Sequence, residues 1–142
     1  MLNRPIRICG MVALDGDTGG GPFWIETEHG TTIQIVETAQ IDLANAHQKK
    51  IFESSSHFNP VDLVCSVKSY KGEKFDLMQY RDPEAVFISK KSVDGKDLKA
   101  LELPGLWNGS MAHWLSIFVD VPGTTFSPVK TLNDLLNDMH LS

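Results

Sequence analysis

Apolar residues run almost without a break from Ile6 to Ala13, which predicts a strand buried on both faces. Phe23–Thr27 and Thr31–Thr38 follow as two arms of a hairpin closed around Glu28, His29 and Gly30, the second arm setting Ile33 and Ile35 against Gln34 and Val36. Asp42 then caps a predicted helix to Glu53, with Leu43, His47 and Ile51 along one side. A second apolar strand spans Val61–Val67, a short one Phe75–Tyr80, and another Val86–Ser89, before a charged loop from Lys90 to Lys99. The stretch Leu101–Lys130 reads as a Pro-Gly turn, a short helix, a buried strand and a second turn feeding a helix, and Trp107 and Trp114, seven apart, would share a helix face. The strand Leu115–Val121 and a helix over 131–140 complete the pattern; Thr131 caps that helix, and Leu132, Leu135, Leu136 and Met139 lie on one side.

Strands of this kind interleaved with two helices indicate an α/β domain, with α+β as a variant: a mixed β-sheet with a few flanking helices. A mostly antiparallel β-sandwich is the alternative, because several strands are joined by short turns. The 142 residues make one domain, able to bury roughly 70% of its unfolded surface. With 42% apolar and 22% charged residues, the composition is that of an ordinary globular chain. A net charge of -5 argues against a nucleic-acid partner, which requires a basic face. No apolar run is long enough for a membrane-spanning helix. Two cysteines, Cys9 and Cys65, each within an apolar run, fit buried thiols in a reducing cytoplasm better than a disulfide framework.

The chemistry these residues point to is sparse. Asp15–Pro22 (DGDTGGGP) follows a strand as phosphate loops do, but it is acidic and lacks both the P-loop ending and the dinucleotide spacing. The five histidines show neither HxH nor HExxH spacing, so no metal centre is expected, although His57 near Asp62, and His113, carry ligand-type side chains. No nucleophile elbow surrounds Ser110. Lys130 stands where a loop enters a helix N-terminus, a position that favours anions.

Three islands resemble the C-terminal part of UTP–glucose-1-phosphate uridylyltransferases: IQIVETAQI at 33–41, IFESSSHFNPVDLV at 51–64, and VDVPGTTFSPVKTLNDLL at 119–136. In the last, Val121-Pro122, Phe126, Pro128-Val129-Lys130 and Asp134-Leu135-Leu136 agree with that family's pattern. Gly123 and Thr125 stand where it has arginines, and Asn59-Pro60-Val61-Asp62 where it has a sugar-contacting N-T-N-N. The whole chain also resembles the C-terminal segment of a bacterial domain-of-unknown-function family, through RPIRICGMV, GGGPFW, HFNPVDLV and LPGLWNG. Those proteins are longer, which implies that this chain is the C-terminal part of a larger one.

These resemblances imply the sugar-side half of a nucleotide-sugar pyrophosphorylase. Lys130 is then expected to contact phosphate, with Asn59, His57, Asp62 and Asn108 as candidates for the sugar hydroxyls. The implied ligand is a sugar phosphate or nucleotide sugar. The basic triphosphate loop of such enzymes has no counterpart here. The chain alone is therefore expected to lack catalytic residues and a cofactor, with Mg needed only in a complete enzyme. The missing N-terminal half, or a homo-oligomer, is the implied partner, and strand Ile6–Ala13 the expected exposed edge. A non-catalytic binding or assembly module is the alternative function.

Overall fold

In the computed structural model, which describes residues 2–14, 20–28 and 30–141, strand β1 (Ile6–Ala13) is paired along both edges. The expectation of an open edge is corrected, because the partners come from distant parts of the chain. On one side β8 (Leu115–Asp120) runs parallel, Ile6 to Met11 opposite Leu115 to Asp120. The other side is shared by two antiparallel pieces, β5 (Leu63–Ser66) against Ile6–Cys9 and β4 (His57–Phe58) against Val12–Ala13. Two further hairpins stand beside this mixed sheet: β2 (Gly21–Thr27) with β3 (Gly30–Val36), and β6 (Phe87–Val93) with β7 (Lys96–Glu102). The one α-helix among the described residues, α1 (Ala46–Glu53), completes a mixed α/β architecture made mostly of strands in several small sheets.

Pleating divides β1 into two faces. Cys9 and Met11 point into the core with Ile35, packed by Leu63, Trp107 and Phe118. Arg7 shares their side and is 1% exposed. Its Nε donates to Ser116 Oγ at 2.7 Å and its Nη2 to Gln34 Oε1 at 2.6 Å, while Gln34 Nε2 donates to Ala112 O at 2.9 Å. This chain of bonds ties the β2–β3 hairpin to the sheet. Burial pushes the Arg7 guanidinium below its ordinary pKa and the Cys9 thiol above its own. The opposite face is open over Ile8, Val64, Ile117 and Val119 (39%, 68%, 50% and 42% exposed) but closed at Gly10 and Val12, so β1 is buried on both faces only from Cys9 to Val12.

Several expected elements take other forms. The second predicted helix, 131–140, is two short 3-10 turns, Leu132–Leu136 and Asp138–His140. The Thr131–Asp134 capping box does form, but Leu132 and Leu136 are 84% and 70% exposed, so no apolar stripe is buried to extend the helix. The first helix begins at Ala46, because Asn45 accepts from His47 and Gln48 N–H as its cap, while Asp42 closes the preceding turn through Ala44 N–H. Phe75–Tyr80 is a 3-10 turn at Leu77–Tyr80, capped by Asp76, rather than a strand. The charged stretch Lys90–Lys99 is no loop. It is paired in β6 and β7 around Asp94-Gly95, both at positive φ as a two-residue turn requires.

Between Leu103 and Trp114 the chain makes turns and no helix, so Trp107 and Trp114 share no helix face. Asn108 organises this segment. Its Oδ1 accepts from Gly105 N–H, and its Nδ2 donates to Ala85 O and Leu103 O. Gly109, at φ +88°, lies so close to its neighbours that a Cβ there would sit 2.4 Å from that of Ala85. Cys9 is buried as expected, but Cys65 is exposed, since short β5 has no strand along its outer edge among the described residues. Residues 15–19 of the glycine-rich loop, and His29 at the hairpin tip, lie outside the described residues.

Candidate functional site

A cleft of about 510 Å³ opens at the carboxyl ends of the parallel strands β1 and β8. Val12, Ala13 and Phe58 form its floor, and the segment from Gly123 to Met139, which continues from β8, forms its wall. Phe126 closes edge-on against Phe58, ring centres 5.2 Å apart, and fixes the wall to the sheet. Pro122 and Pro128 restrict the backbone on either side of that contact. In open α/β sheets the crevice beyond the strand carboxyl ends is where ligands collect.

Lys130 and Asp134 both line this cleft. Asp134 Oδ2 accepts from the backbone N–H groups of Lys130 (2.8 Å) and Thr131 (2.6 Å), and those bonds, Thr131's first, hold its carboxyl below the usual aspartate range. The same carboxylate thus orders the turn that carries Lys130. Ser127 Oγ lies 2.9 Å from His140 Nε2, joining the two ends of the wall. The lining is mixed in polarity, with one cation and one anion among its described residues.

Of the residues singled out from sequence, only Lys130 lines the cleft. Asn59 follows Phe58 but turns its amide to the backbone, Nδ2 donating to Gly10 O at 2.7 Å and Oδ1 accepting from Val61 N–H. It bridges the step in register between β4 and β5. Asp62 is exposed beside Gly10, whose N–H donates to its carbonyl. His57 Nε2 is 3.5 Å from Asp120 Oδ1, and its Nδ1 is 2.8 Å from Ser56 Oγ. Asn108 belongs to the turn described above, where backbone groups take up its amide.

Sequence reasoning did not single out Asp120. It sits inside an apolar strand, and only the register with β1 and β4 brings it to His57. Among the described residues no three His, Cys, Asp or Glu side chains gather as a metal site. Nor is any helix long and apolar enough to cross a membrane. Compared with known proteins, residues 1–141 match a family described as Domain of unknown function (DUF4301). No curated protein matches the chain.

Proposed function

The chain belongs to the family described as Domain of unknown function (DUF4301), and from that premise we propose that the cleft beneath Lys130 binds the phosphate of a small phosphorylated ligand, a sugar phosphate or nucleotide sugar. One observation carries this reading: Lys130 lines a cleft at the carboxyl ends of two parallel strands, on a turn ordered by Asp134. The resemblance of Val121–Leu136 to the uridylyltransferase pattern supports the choice of ligand class. The apolar floor at Val12 and Phe58 offers surface to a ring, and the ammonium offers charge to the phosphate. The role of the chain is to bind, as the sugar-phosphate portion of a nucleotidyltransferase-like protein.

Calorimetric titration with glucose 1-phosphate and UDP-glucose, before and after Lys130→Met, tests the reading. The substitution should weaken binding by roughly 1.5–3 kcal/mol, the scale of a charged hydrogen bond, without altering the fold. Equal affinities in the two proteins would sink it. The alternative, a non-catalytic assembly module, draws on the open apolar face at Ile8, Val64, Ile117 and Val119. Under that reading neither sugar compound binds.

A further inference from the structure

At the opposite end of β1 lies a second cleft, also about 510 Å³, and its charge is of one sign. Arg4 and Lys68 line it, with Ser66, Ser69, Tyr70 and Phe75, and no carboxylate contributes to its walls among the described residues. β1 and β5 end their pairing at Ile6 opposite Ser66; beyond it Lys68 bridges to Lys74, and Arg4 reaches His113 O beside the start of β8. The cleft therefore gathers two cations at one end of the sheet. Two cations lining one cleft give it a positive field that favours an anion.

The polar groups here have capacity left over. Arg4 donates from Nη1 to His113 O at 3.3 Å, but its Nε is buried with no acceptor in reach. Among the described residues neither Arg4 nor Lys68 pairs with a carboxylate. Of the acidic residues in the adjoining turn, Asp76 spends its carboxylate on Met78 N–H and Gln79 Nε2, and Glu73 does not line the cleft. Ser69 Oγ accepts from Lys71 N–H at 3.2 Å, so its own O–H can turn to an incoming oxygen. Beside these groups Tyr70 is 82% exposed, with Lys71 Nζ 5.7 Å from its ring centre, and Phe75 is half-buried.

We infer that this cleft is an anion-binding site for a phosphate monoester carrying an aromatic or apolar ring. Arg4 and Lys68 hold the phosphate between them, and Tyr70 stacks on the ring. The inference is independent of the Lys130 cleft, which lies at the far end of the same strand.

The test is NMR titration of the whole chain with phenyl phosphate and, separately, inorganic phosphate. Saturable shifts are expected at the amides of residues 66–70, with phenyl phosphate the tighter ligand. Lys68→Met, at an exposed position, should weaken both at least tenfold, and Arg4→Met likewise where circular dichroism shows the fold kept. Tyr70→Ala should weaken phenyl phosphate alone. Shifts at residues 130–134 report on the other cleft, so success or failure at one site is read apart from the other. No saturation at residues 66–70, an unchanged affinity in Lys68→Met, or equal displacement by chloride at matched ionic strength would each overturn the proposal.

Discussion

Gln34 meets Arg7 side chain to side chain, Oε1 to Nη2 at 2.6 Å, and the guanidinium it answers belongs to a residue 1% exposed whose hydrogen-bond partners among the described residues, Gln34 and Ser116, are neutral. A buried charge held by neutral oxygens is stable only while every oxygen stays in place. Gln34→Ala should therefore cost about 1.5–3 kcal/mol in urea unfolding. Arg7→Met combined with Gln34→Leu should recover most of that loss, because the charge and its partner leave together. A double variant as unstable as Gln34→Ala would show that the guanidinium itself stabilises the sheet.

Two glycines with similar backbone angles should respond differently to alanine. Gly109 (φ +88°) has Ala85 Cβ at 2.4 Å and Asp82 O at 2.9 Å from an added Cβ, whereas Gly72 (φ +83°) has nothing within 4 Å. Gly72→Ala pays only for the left-handed backbone, about 1–2 kcal/mol. Gly109→Ala adds overpacking against backbone, a further 1–3 kcal/mol or so. Thermal unfolding of the pair checks the order, and equal losses would contradict the packing around Asn108.

Val61 is the reverse case. It is β-branched, 60% exposed, and held at φ +76° by the turn that Asn59 closes. Val61→Gly gives up little burial and relieves the backbone, so a gain of up to about 1 kcal/mol is expected in chemical denaturation. A loss would mean that the valine side chain packs where the structure leaves it open.

The Asp134 carboxyl is held below its ordinary pKa, first by Thr131 N–H and then by Lys130 N–H. A depressed folded pKa contributes stability that is present above the unfolded value and lost as pH falls through the folded one. The turn carrying Lys130 should thus stay intact to below about pH 4 and loosen only under stronger acid. Amide shifts of Lys130 and Thr131, followed through an acid titration, should move together with a midpoint below that of an ordinary aspartate. A midpoint at or above it would mean that the carboxylate does not cap this turn.

Local chemistry made the hairpin Gly21–Val36, strands β1 and β8, and the Thr131–Asp134 capping box legible in the sequence, since each depends on neighbouring residues. The chain between Lys90 and Lys99 was misread because its lysines imply solvent, and a two-sided exposed hairpin is compatible with that. The helical spacing of Leu132, Leu135, Leu136 and Met139 was real as a pattern. Period alone does not make a helix where no surface buries the stripe. Lys130 could be singled out because loop and cap flank it directly. The pairing of His57 with Asp120, and the meeting of Arg4 and Lys68 at one cleft, arise from long-range packing and leave no local trace.

The order in which β1 finds its partners has a consequence for how the chain is made. Arg7 bonds Ser116 across 109 positions of sequence, and at ribosomal speeds of about 5–20 residues per second the wait between the two is on the order of 5–20 s. During that interval the Ile6–Ala13 segment is outside the tunnel with one edge unmatched. Only β4 and β5, completed by residue 66, can shield it early. The nascent chain therefore passes through a long stage in which a mostly apolar strand depends on one side's pairing, and chaperones that hold such segments should engage it there. Ribosome-bound chains stalled with β8 still inside the tunnel and chains stalled after it has emerged would differ in that engagement, with release coinciding with the arrival of β8.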